Sequence, residues 1–199
     1  MTDPVYEHDE QLRRFVAEAR FAEQGAIITD LDGTAVHEEH GRVIIPKTVE
    51  HGLKELNNHG RPLIINSLRF PLSVMRTFGH EWYRIANTPI PTISLNGSLL
   101  GRIVELRSGD LAFEEFAAFP LSAGEINAAL GHVERLLADG LDNVLIFWYP
   151  HDWRSGEQIW TPLPERVEAV RAKYTSAAAV SADGFAHLRD RLVADETCM

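Results

Sequence analysis

The sequence has little cysteine and no long apolar run, and each shortage excludes a class of protein. A single cysteine, Cys198, excludes an intrachain disulfide and a multi-cysteine zinc site. No apolar stretch is long enough to span a bilayer, and the acidic start of the chain carries no segment of the signal-peptide kind. Basic residues are also scarce, since 19 Lys and Arg stand against 29 Asp and Glu and leave a net charge of −10. We therefore expect a cytoplasmic protein with no membrane partner.

The acidic balance also argues against nucleic acid as a partner, because binding to a phosphate backbone usually requires a basic patch. What the chain does have is the composition of an ordinary globular protein, with 45% hydrophobic and 24% charged residues. Its 199 residues suffice for one domain with a sizeable core or for two small packed units. Composition alone leaves the oligomeric state open.

The first hundred residues alternate short apolar runs with helical patterns. Apolar, β-branched runs bounded by glycine or proline predict buried parallel strands, and apolar residues at helical spacing predict the segments between them as helices. The predicted strands are 26–29, 62–67 and 92–95, and the predicted helices are 8–24, 46–58 and 71–79. This order predicts an α/β fold with a parallel sheet and right-handed crossovers.

The pattern changes beyond residue 97, where an α+β module with a more antiparallel sheet is predicted. We expect a domain boundary near residues 97–102. The predicted strands of this part are 98–106, 111–115, 143–149 and 177–180, and the predicted helices are 123–138, 164–173 and 184–193.

Polar side chains follow each of the first three predicted strands. Asp30 and Asp32 follow the first, Ser67 the second and Asn96 the third. In open α/β sheets the active crevice lies outside the carboxyl ends of the strands, so these side chains are expected at one edge. The repulsion between two crowded carboxylates is most simply offset by Mg²⁺, which prefers carboxylate oxygen as a ligand. One carboxylate can then attack phosphorus, and the other can act as general acid and base.

The sequence around these residues resembles the motifs of a known protein family. Residues 27–34 read Ile-Ile-Thr-Asp-Leu-Asp-Gly-Thr and resemble the first motif of the haloacid dehalogenase-like (HAD) hydrolases, an apolar strand followed by DxDGT. Residues 63–67 resemble the second motif, an apolar strand that ends in Ser or Thr. The Ser-Leu-Arg step at 67–69 and Asn-Gly at 96–97 resemble the subgroup with a large α+β cap inserted after the second motif, which includes Cof-like proteins and sugar phosphatases.

The resemblance implies a fold and its boundaries. It implies an α/β fold with a partial Rossmann-like parallel three-layer core over residues 1–97 and an inserted α+β cap domain over residues 98–199. Caps of this type generally choose the substrate, which is commonly a sugar phosphate or another small phosphorylated metabolite.

The resemblance also implies site residues. Asp30 is the implied nucleophile, Asp32 the implied general acid and base, and both aspartates the implied Mg²⁺ residues, through the Asp30 carboxylate and the Asp32 backbone carbonyl. Ser67 is implied as a phosphate ligand. The other positions carried over for phosphate or substrate binding are Arg69, Asn96, Gly33 and Thr34. From the residues alone, Arg69 is either a structural arginine or a substrate contact.

The sequence departs from the family after the cap begins. Members carry a later lysine and a later acidic pair, but the lysines here are Lys47 and Lys54, which come too early, and Lys173, which lies in a predicted cap helix. Leu68 stands where many relatives have Gly. We therefore expect the chain to be cut short within its cap, and to be an incomplete phosphatase with weak activity or none.

Two further patterns and two further functions stay open. The His-Glu-Glu-His run at 37–40 does not have the spacing of a helical zinc site and predicts an exposed hairpin. The aromatic run at 147–149, with His151 and Trp153, either lines a substrate pocket or packs in a core. The alternative functions are a phosphosugar mutase of the same fold, and a non-catalytic binding module that retains half of the site.

Overall fold

A computed structural model describes residues 14, 24–40 and 42–199, and the predicted helix over 8–24 lies almost entirely outside them. The first part of the described chain alternates strands and helices as predicted. Its strands are β1 (Ile27–Thr29), β2 (His37–Glu39), β3 (Arg42–Ile44), β4 (Leu63–Asn66), β5 (Ile90–Ser94), β6 (Leu99–Glu105) and β7 (Leu111–Ala118), and its helices are α1 (Lys47–Asn58), α2 (Pro71–Val74) and α3 (His80–Ala86).

Five of these strands form one sheet in the order β1-β4-β5-β6-β7. β1, β4 and β5 run parallel, β6 pairs antiparallel with β5, and β7 pairs antiparallel with β6. Parallel strands joined through helices confirm the predicted α/β class. The exposed hairpin predicted at 37–40 is also confirmed, because β2 pairs with β3 and all its residues are exposed.

The sheet continues across the boundary predicted near residues 97–102. Leu95–Gly97 form a tight turn instead of a crossover, and Ile93 of β5 pairs directly with Leu100 of β6. Residues 98–118 therefore belong to the same sheet as the first three parallel strands. Division of the chain into a core over 1–97 and a cap over 98–199 would cut this sheet between two hydrogen-bonded strands.

β1 is less buried than its apolar sequence predicts. It lies at one end of the sheet and pairs with β4 alone among the described strands, so Ile28 is 62% exposed. β4 has strands on both sides, and its Leu63 and Ile65 are buried. The prediction of a fully buried first strand is therefore wrong for β1 within the described part of the chain.

The helix predicted over 71–79 continues to Ala86. A π-helical turn at Met75–Gly79 joins α2 to α3, and Asn87 ends the helix in the left-handed conformation, with φ of 49°. Gly79 has ordinary helical geometry and serves close packing, since a Cβ there would lie 3.3 Å from Leu111 Cδ1. The predicted helix, which ended at this glycine, therefore lacked the second half of the observed one.

The second part of the chain forms a smaller α+β unit. Its helices are α4 (Ala123–Ala138), α5 (Val167–Lys173) and α6 (Phe185–Ala194), and its strands are β8 (Ile146–Trp148), β9 (Gln158–Trp160) and β10 (Ala179–Ser181). The strand order is β10-β9-β8, with β9 parallel to β10 and antiparallel to β8. The sequence pattern missed β9, which is only three residues long. α4 begins with a capping box between Ser122 and Glu125.

The last residues of the described chain join the smaller unit to the first sheet. Cys198 N donates to Tyr149 O at 3.0 Å, and Tyr149 N donates to Met199 O at 2.9 Å. Cys198 and Trp153 pack in the same apolar core as Ile65 and Leu95 of the first part. This core therefore fixes the segment around Tyr149 beside the carboxyl ends of the parallel strands. No helix among the described residues is long and apolar enough to cross a bilayer.

Candidate functional site

Asp30 and Asp32 lie on one tight loop at the carboxyl end of β1. Leu31 between them is completely buried, and its carbonyl accepts hydrogen bonds from the backbone N–H groups of residues 34–36 at 2.8–3.1 Å. Gly33 has φ of 70°, a conformation that glycine adopts at little cost. The buried Leu31 anchors the loop, and both aspartates are exposed on it. The Asp-Leu-Asp-Gly pattern therefore places two carboxylates at the sheet edge, as predicted.

Arg69 binds both carboxylate oxygens of Asp32. Its Nε lies 2.7 Å from Asp32 Oδ2, and one terminal nitrogen lies 2.6 Å from Asp32 Oδ1. The other terminal nitrogen donates to Ser73 Oγ at 2.8 Å. This pairing lowers the pKa of Asp32, chiefly through the Arg69 hydrogen bonds, against the opposing effect of partial burial. The hydrogen bonds to Asp32, and to a smaller extent the nearby Asp30 carboxylate, raise the pKa of Arg69 in turn.

The loop that carries Arg69 is fixed to the end of β5. Ser67 is 3% exposed, and its Oγ accepts from Arg69 N at 3.2 Å. The Ser94 hydroxyl donates to Arg69 O at 2.5 Å, and Asn96 N donates to Ser67 O at 3.4 Å. Two of these bonding residues, Ser73 and Ser94, were not predicted. Ser73 follows Arg69 by four residues at a helix start, which is the one sequence signal that could have pointed to it.

The Leu-Asn-Gly step at 95–97 has three consecutive left-handed residues. Their φ values are 51°, 53° and 99°, and such backbone in a non-glycine residue is typical of functional sites. Asn96 is exposed, and its side-chain amide lies 3.9 Å from Met199 Sδ. The structure therefore brings the Asn96 backbone to the Ser67 loop, while its side chain contacts the last residue of the chain.

Not every predicted site residue takes part in these contacts. Asp32, Ser67 and Arg69 are joined directly, and Asp30 lies nearby on the same loop. Gly33 and Thr34 contribute backbone hydrogen bonds within the loop, to Val36 O and Leu31 O. Their predicted contact with phosphate remains a prediction.

A cavity of about 360 Å³ adjoins Arg69. Leu68, Phe70 and Ser73 line it from the first part, and Tyr149 and Glu157 line it from the smaller unit. A larger cavity of about 450 Å³ lies at the amino ends of β4 and β5, which is the opposite edge of the sheet from the aspartates. We therefore assign the cavity beside Arg69 to the candidate site.

The aromatic residues at 147–149 serve both of the roles that the sequence left open, core packing and the lining of a pocket. Trp148 and Trp153 are buried, and Phe147 packs edge-on against Tyr174 with ring centroids 5.0 Å apart. Tyr149 alone of the run lines the cavity beside Arg69. Three of these four aromatic side chains therefore serve packing.

The chemistry of the oxygen donors at this edge suits Mg²⁺, but their number is small. Mg²⁺ in proteins is held by one or two carboxylates and keeps several waters. The Asp30 carboxylate and the Asp32 backbone carbonyl are donors of this type, whereas the Asp32 carboxylate is bound to Arg69. No group of three His, Cys, Asp or Glu side chains within the described ranges could enclose a metal. Lys47 and Lys54 lie in α1, and Lys173 lies over the Tyr174 ring.

Comparison with known proteins shows likeness at the level of fold. No protein-family model and no curated protein matches the sequence. Among solved structures, the chain is similar to the HAD subclass IIB sugar phosphatase BT4131, with 17% identity and a TM-score of 0.55 over 84% of this chain and 55% of that protein. It is also similar to the HAD phosphatase BT1666 from Bacteroides thetaiotaomicron, with 16% identity and a TM-score of 0.51 over 88% and 54% of the two chains.

A third similar structure comes from work on a trigonal-bipyramidal intermediate in a phosphoryl-transfer superfamily. The identity is 16% and the TM-score is 0.52, over 84% of this chain and 55% of that protein. The chain therefore spans about half the length of the solved structures that it matches. At this level of identity, the comparison establishes the fold. Over that shared part, the chain has the fold of the haloacid dehalogenase-like hydrolases.

Proposed function

We propose that this chain is part of a Mg²⁺-dependent phosphatase that hydrolyses a small phosphorylated metabolite, with a sugar phosphate as the substrate class. The observation that carries the proposal is the exposed pair Asp30 and Asp32 on one tight loop, with Arg69 bound across Asp32. A carboxylate pair with a guanidinium beside it can attack and bind a phosphoryl group. The fold likeness to HAD phosphatases supports the same reaction class.

The reaction assigns a separate role to each aspartate. Asp30 attacks phosphorus and forms an aspartyl-phosphate while the bond from phosphorus to the leaving oxygen breaks. Asp32 in its protonated form gives a proton to that oxygen, and as a carboxylate it takes one from the water that then releases phosphate. Mg²⁺, held by the Asp30 carboxylate and the Asp32 carbonyl, would neutralise charge on the phosphoryl oxygens.

Arg69 has to change partners for these steps to occur. While it binds both oxygens of Asp32, it holds that carboxylate ionised and leaves it no proton to give. A phosphoryl group is also a bidentate partner for guanidinium, so it can compete for Arg69. The hydroxyl of Ser67 and the backbone N–H groups of Leu31 and Asp32 are further donors for the phosphoryl oxygens, since the N–H groups of residues 33–36 are bonded within the loop.

A second candidate is a non-catalytic binding module. It is favoured by the small number of groups available for catalysis at this edge. Of the two carboxylates, only that of Asp30 has no bound guanidinium, and the lysines of the described chain lie elsewhere. Such a module would bind a phosphorylated molecule through Arg69 without turnover.

Substitution of Asp30 by Asn separates the two candidates. The phosphatase proposal predicts slow release of inorganic phosphate from p-nitrophenyl phosphate in Mg²⁺ by the parent chain, as fits part of an enzyme, and loss of more than about 99% of that rate in Asp30→Asn. Mass spectrometry of the parent chain should find phosphate on Asp30. Release at an unchanged rate in Asp30→Asn would overturn the assigned nucleophile, and phosphate-ester binding without release in the parent would favour the binding module.

A further inference from the structure

The cavity beside Arg69 contains an acidic group that the reaction steps do not use. Arg69 touches Asp32 and also lines this cavity, so the leaving group of a phosphate ester bound to Arg69 would lie next to the cavity. Glu157 lines the cavity from the smaller unit, in the residue just before β9. A carboxylate only accepts hydrogen bonds, so at this position it favours leaving groups that carry hydrogen-bond donors.

Glu157 is held in place on two sides. The Tyr149 hydroxyl donates to Glu157 Oε2 at 2.6 Å, and the Glu157 carbonyl accepts from Ala178 N at 2.7 Å. Burial, and secondly the Glu157 carboxylate, raise the pKa of Tyr149 far above its usual range, so the phenol remains a donor. Oε1 of Glu157 accepts no hydrogen bond from any residue that the structure describes. It is therefore available to a donor in the cavity.

The wall beside Glu157 is apolar. The rings of Tyr149 and Phe70 have centroids 5.2 Å apart, and Leu68 is 55% exposed next to them. A ring face and an aliphatic side chain suit the C–H groups of a small carbon skeleton, and a fixed acceptor suits its hydroxyls.

The lining carries charges of both signs, which suits a neutral leaving group. Two guanidinium groups, those of Arg69 and the exposed Arg76, disfavour an ammonium group, and the Glu157 carboxylate disfavours a second anion. Hydroxyl groups are donors that carry neither charge. The cavity of about 360 Å³ is at the small end of the range for ligand sites, which suits a compact leaving group.

We infer that Glu157 is a specificity-determining residue that accepts hydrogen bonds from hydroxyl groups of the leaving group. The inference rests on the proposed function, since it takes the cavity as the place of that leaving group. Glu157 does not contact the reacting bond, and Tyr149 is the positioning residue that fixes its carboxylate.

The test measures binding to the full chain with Asp30→Asn, so that bound esters are not turned over. Calorimetry in Mg²⁺ compares phenyl phosphate, which has no free hydroxyl, with glucose 6-phosphate and O-phosphoethanolamine. Adding Glu157→Gln keeps the side-chain shape and removes the charge. The affinity for glucose 6-phosphate should therefore fall about tenfold, while the affinity for phenyl phosphate should change less than about twofold. Glu165→Gln, at an exposed position outside the cavity, is the matched control and should change neither.

A second variant, Tyr149→Phe, keeps the ring and removes the hydroxyl that holds the Glu157 carboxylate. It should lower the affinity for glucose 6-phosphate by a smaller factor than Glu157→Gln. Equal effects of Glu157→Gln on phenyl phosphate and glucose 6-phosphate would overturn the inference and leave the phosphatase proposal standing. A larger effect on O-phosphoethanolamine would also overturn it, in favour of ammonium recognition. If no ester binds and the parent chain releases no phosphate, the proposed function and this inference both fail.

Discussion

Arg69 connects the two halves of the candidate site, because one guanidinium contacts Asp32, Ser73 and the cavity lining at once. Its side chain is 25% exposed, which places this ion pair between a surface pair and a buried one. The sequence predicted Arg69 at this edge but left its partner open. The partner is Asp32, which lies 37 positions away, and no local pattern encodes that distance.

Substitution of Arg69 by Lys should weaken phosphate binding. Lysine keeps the positive charge but cannot bind two oxygens in parallel, so the affinity of the chain for inorganic phosphate in calorimetry should fall about tenfold. Arg84→Lys, on α3, is the control and should leave the affinity unchanged. Unchanged binding in Arg69→Lys would mean that Arg69 serves only as the internal partner of Asp32.

At the scale of elements, two glycines in regular structure have opposite surroundings. A Cβ on Gly101, in β6, would lie 2.4 Å from the Glu114 carbonyl oxygen of β7 and 2.5 Å from the Phe113 ring. A Cβ on Gly131, in α4, would have nothing within 4 Å. The register of β6 and β7 shifts between Leu100 and Gly101, so the close approach coincides with an irregularity in the ladder.

Alanine at these two positions should therefore have effects of opposite sign. Gly101→Ala should lower the free energy of unfolding by about 1–3 kcal/mol, because backbone and a buried ring would have to shift. Gly131→Ala should raise it by about 0.5–1 kcal/mol, because alanine restricts the unfolded chain and favours a helix. Urea denaturation followed by circular dichroism measures both. Equal stability of Gly101→Ala and the parent would show that β7 can move away from β6 at little cost.

Elements with strong local signals could be predicted, and those set by contacts could not. The Ser122 to Glu125 spacing predicts the start of α4, and the apolar run at 63–66 predicts β4. β9 has three buried residues and no alternation, and it exists because it pairs with both β8 and β10. Gly79 fits a helix stop in sequence but is explained by the approach of Leu111.

At the scale of the whole molecule, the position of the smaller unit decides whether the cavity exists. Arg69 and Glu157 lie on different units, so any change in how the units meet changes the distance between them. The sequence located Asp30, Asp32 and Ser67 at one edge, because parallel strands place their carboxyl ends together. It could not locate Glu157 there, because that depends on packing of the segment around Tyr149 against the first core.

His151 provides one contact between the units that depends on pH. Its Nε2 lies 3.0 Å from Glu115 Oε2 of β7, and its Nδ1 lies 3.0 Å from Glu196 Oε2 after α6. A neutral imidazole has one N–H and cannot donate to both carboxylates, so the pair of contacts requires the imidazolium. Asp152 and Asp195 line the same surface cavity as these three residues. Hydrogen bonds to Glu196 and then Glu115 raise the pKa of His151.

Stability should therefore decrease as pH rises through the range where His151 loses its proton. The pKa of His151 is higher in the folded state than its unfolded value of 6.5. Its contribution to the free energy of unfolding is therefore complete below pH 6.5 and is lost as the pH rises through the pKa of the folded state. Since the side chain is 33% exposed, the change should stay below about 1 kcal/mol. Urea denaturation at several pH values should show this loss in the parent and in His80→Gln, where an exposed histidine of α3 is removed, but not in His151→Gln. The same pH dependence in His151→Gln would assign the titration to another group and leave His151 without a role in holding the units together.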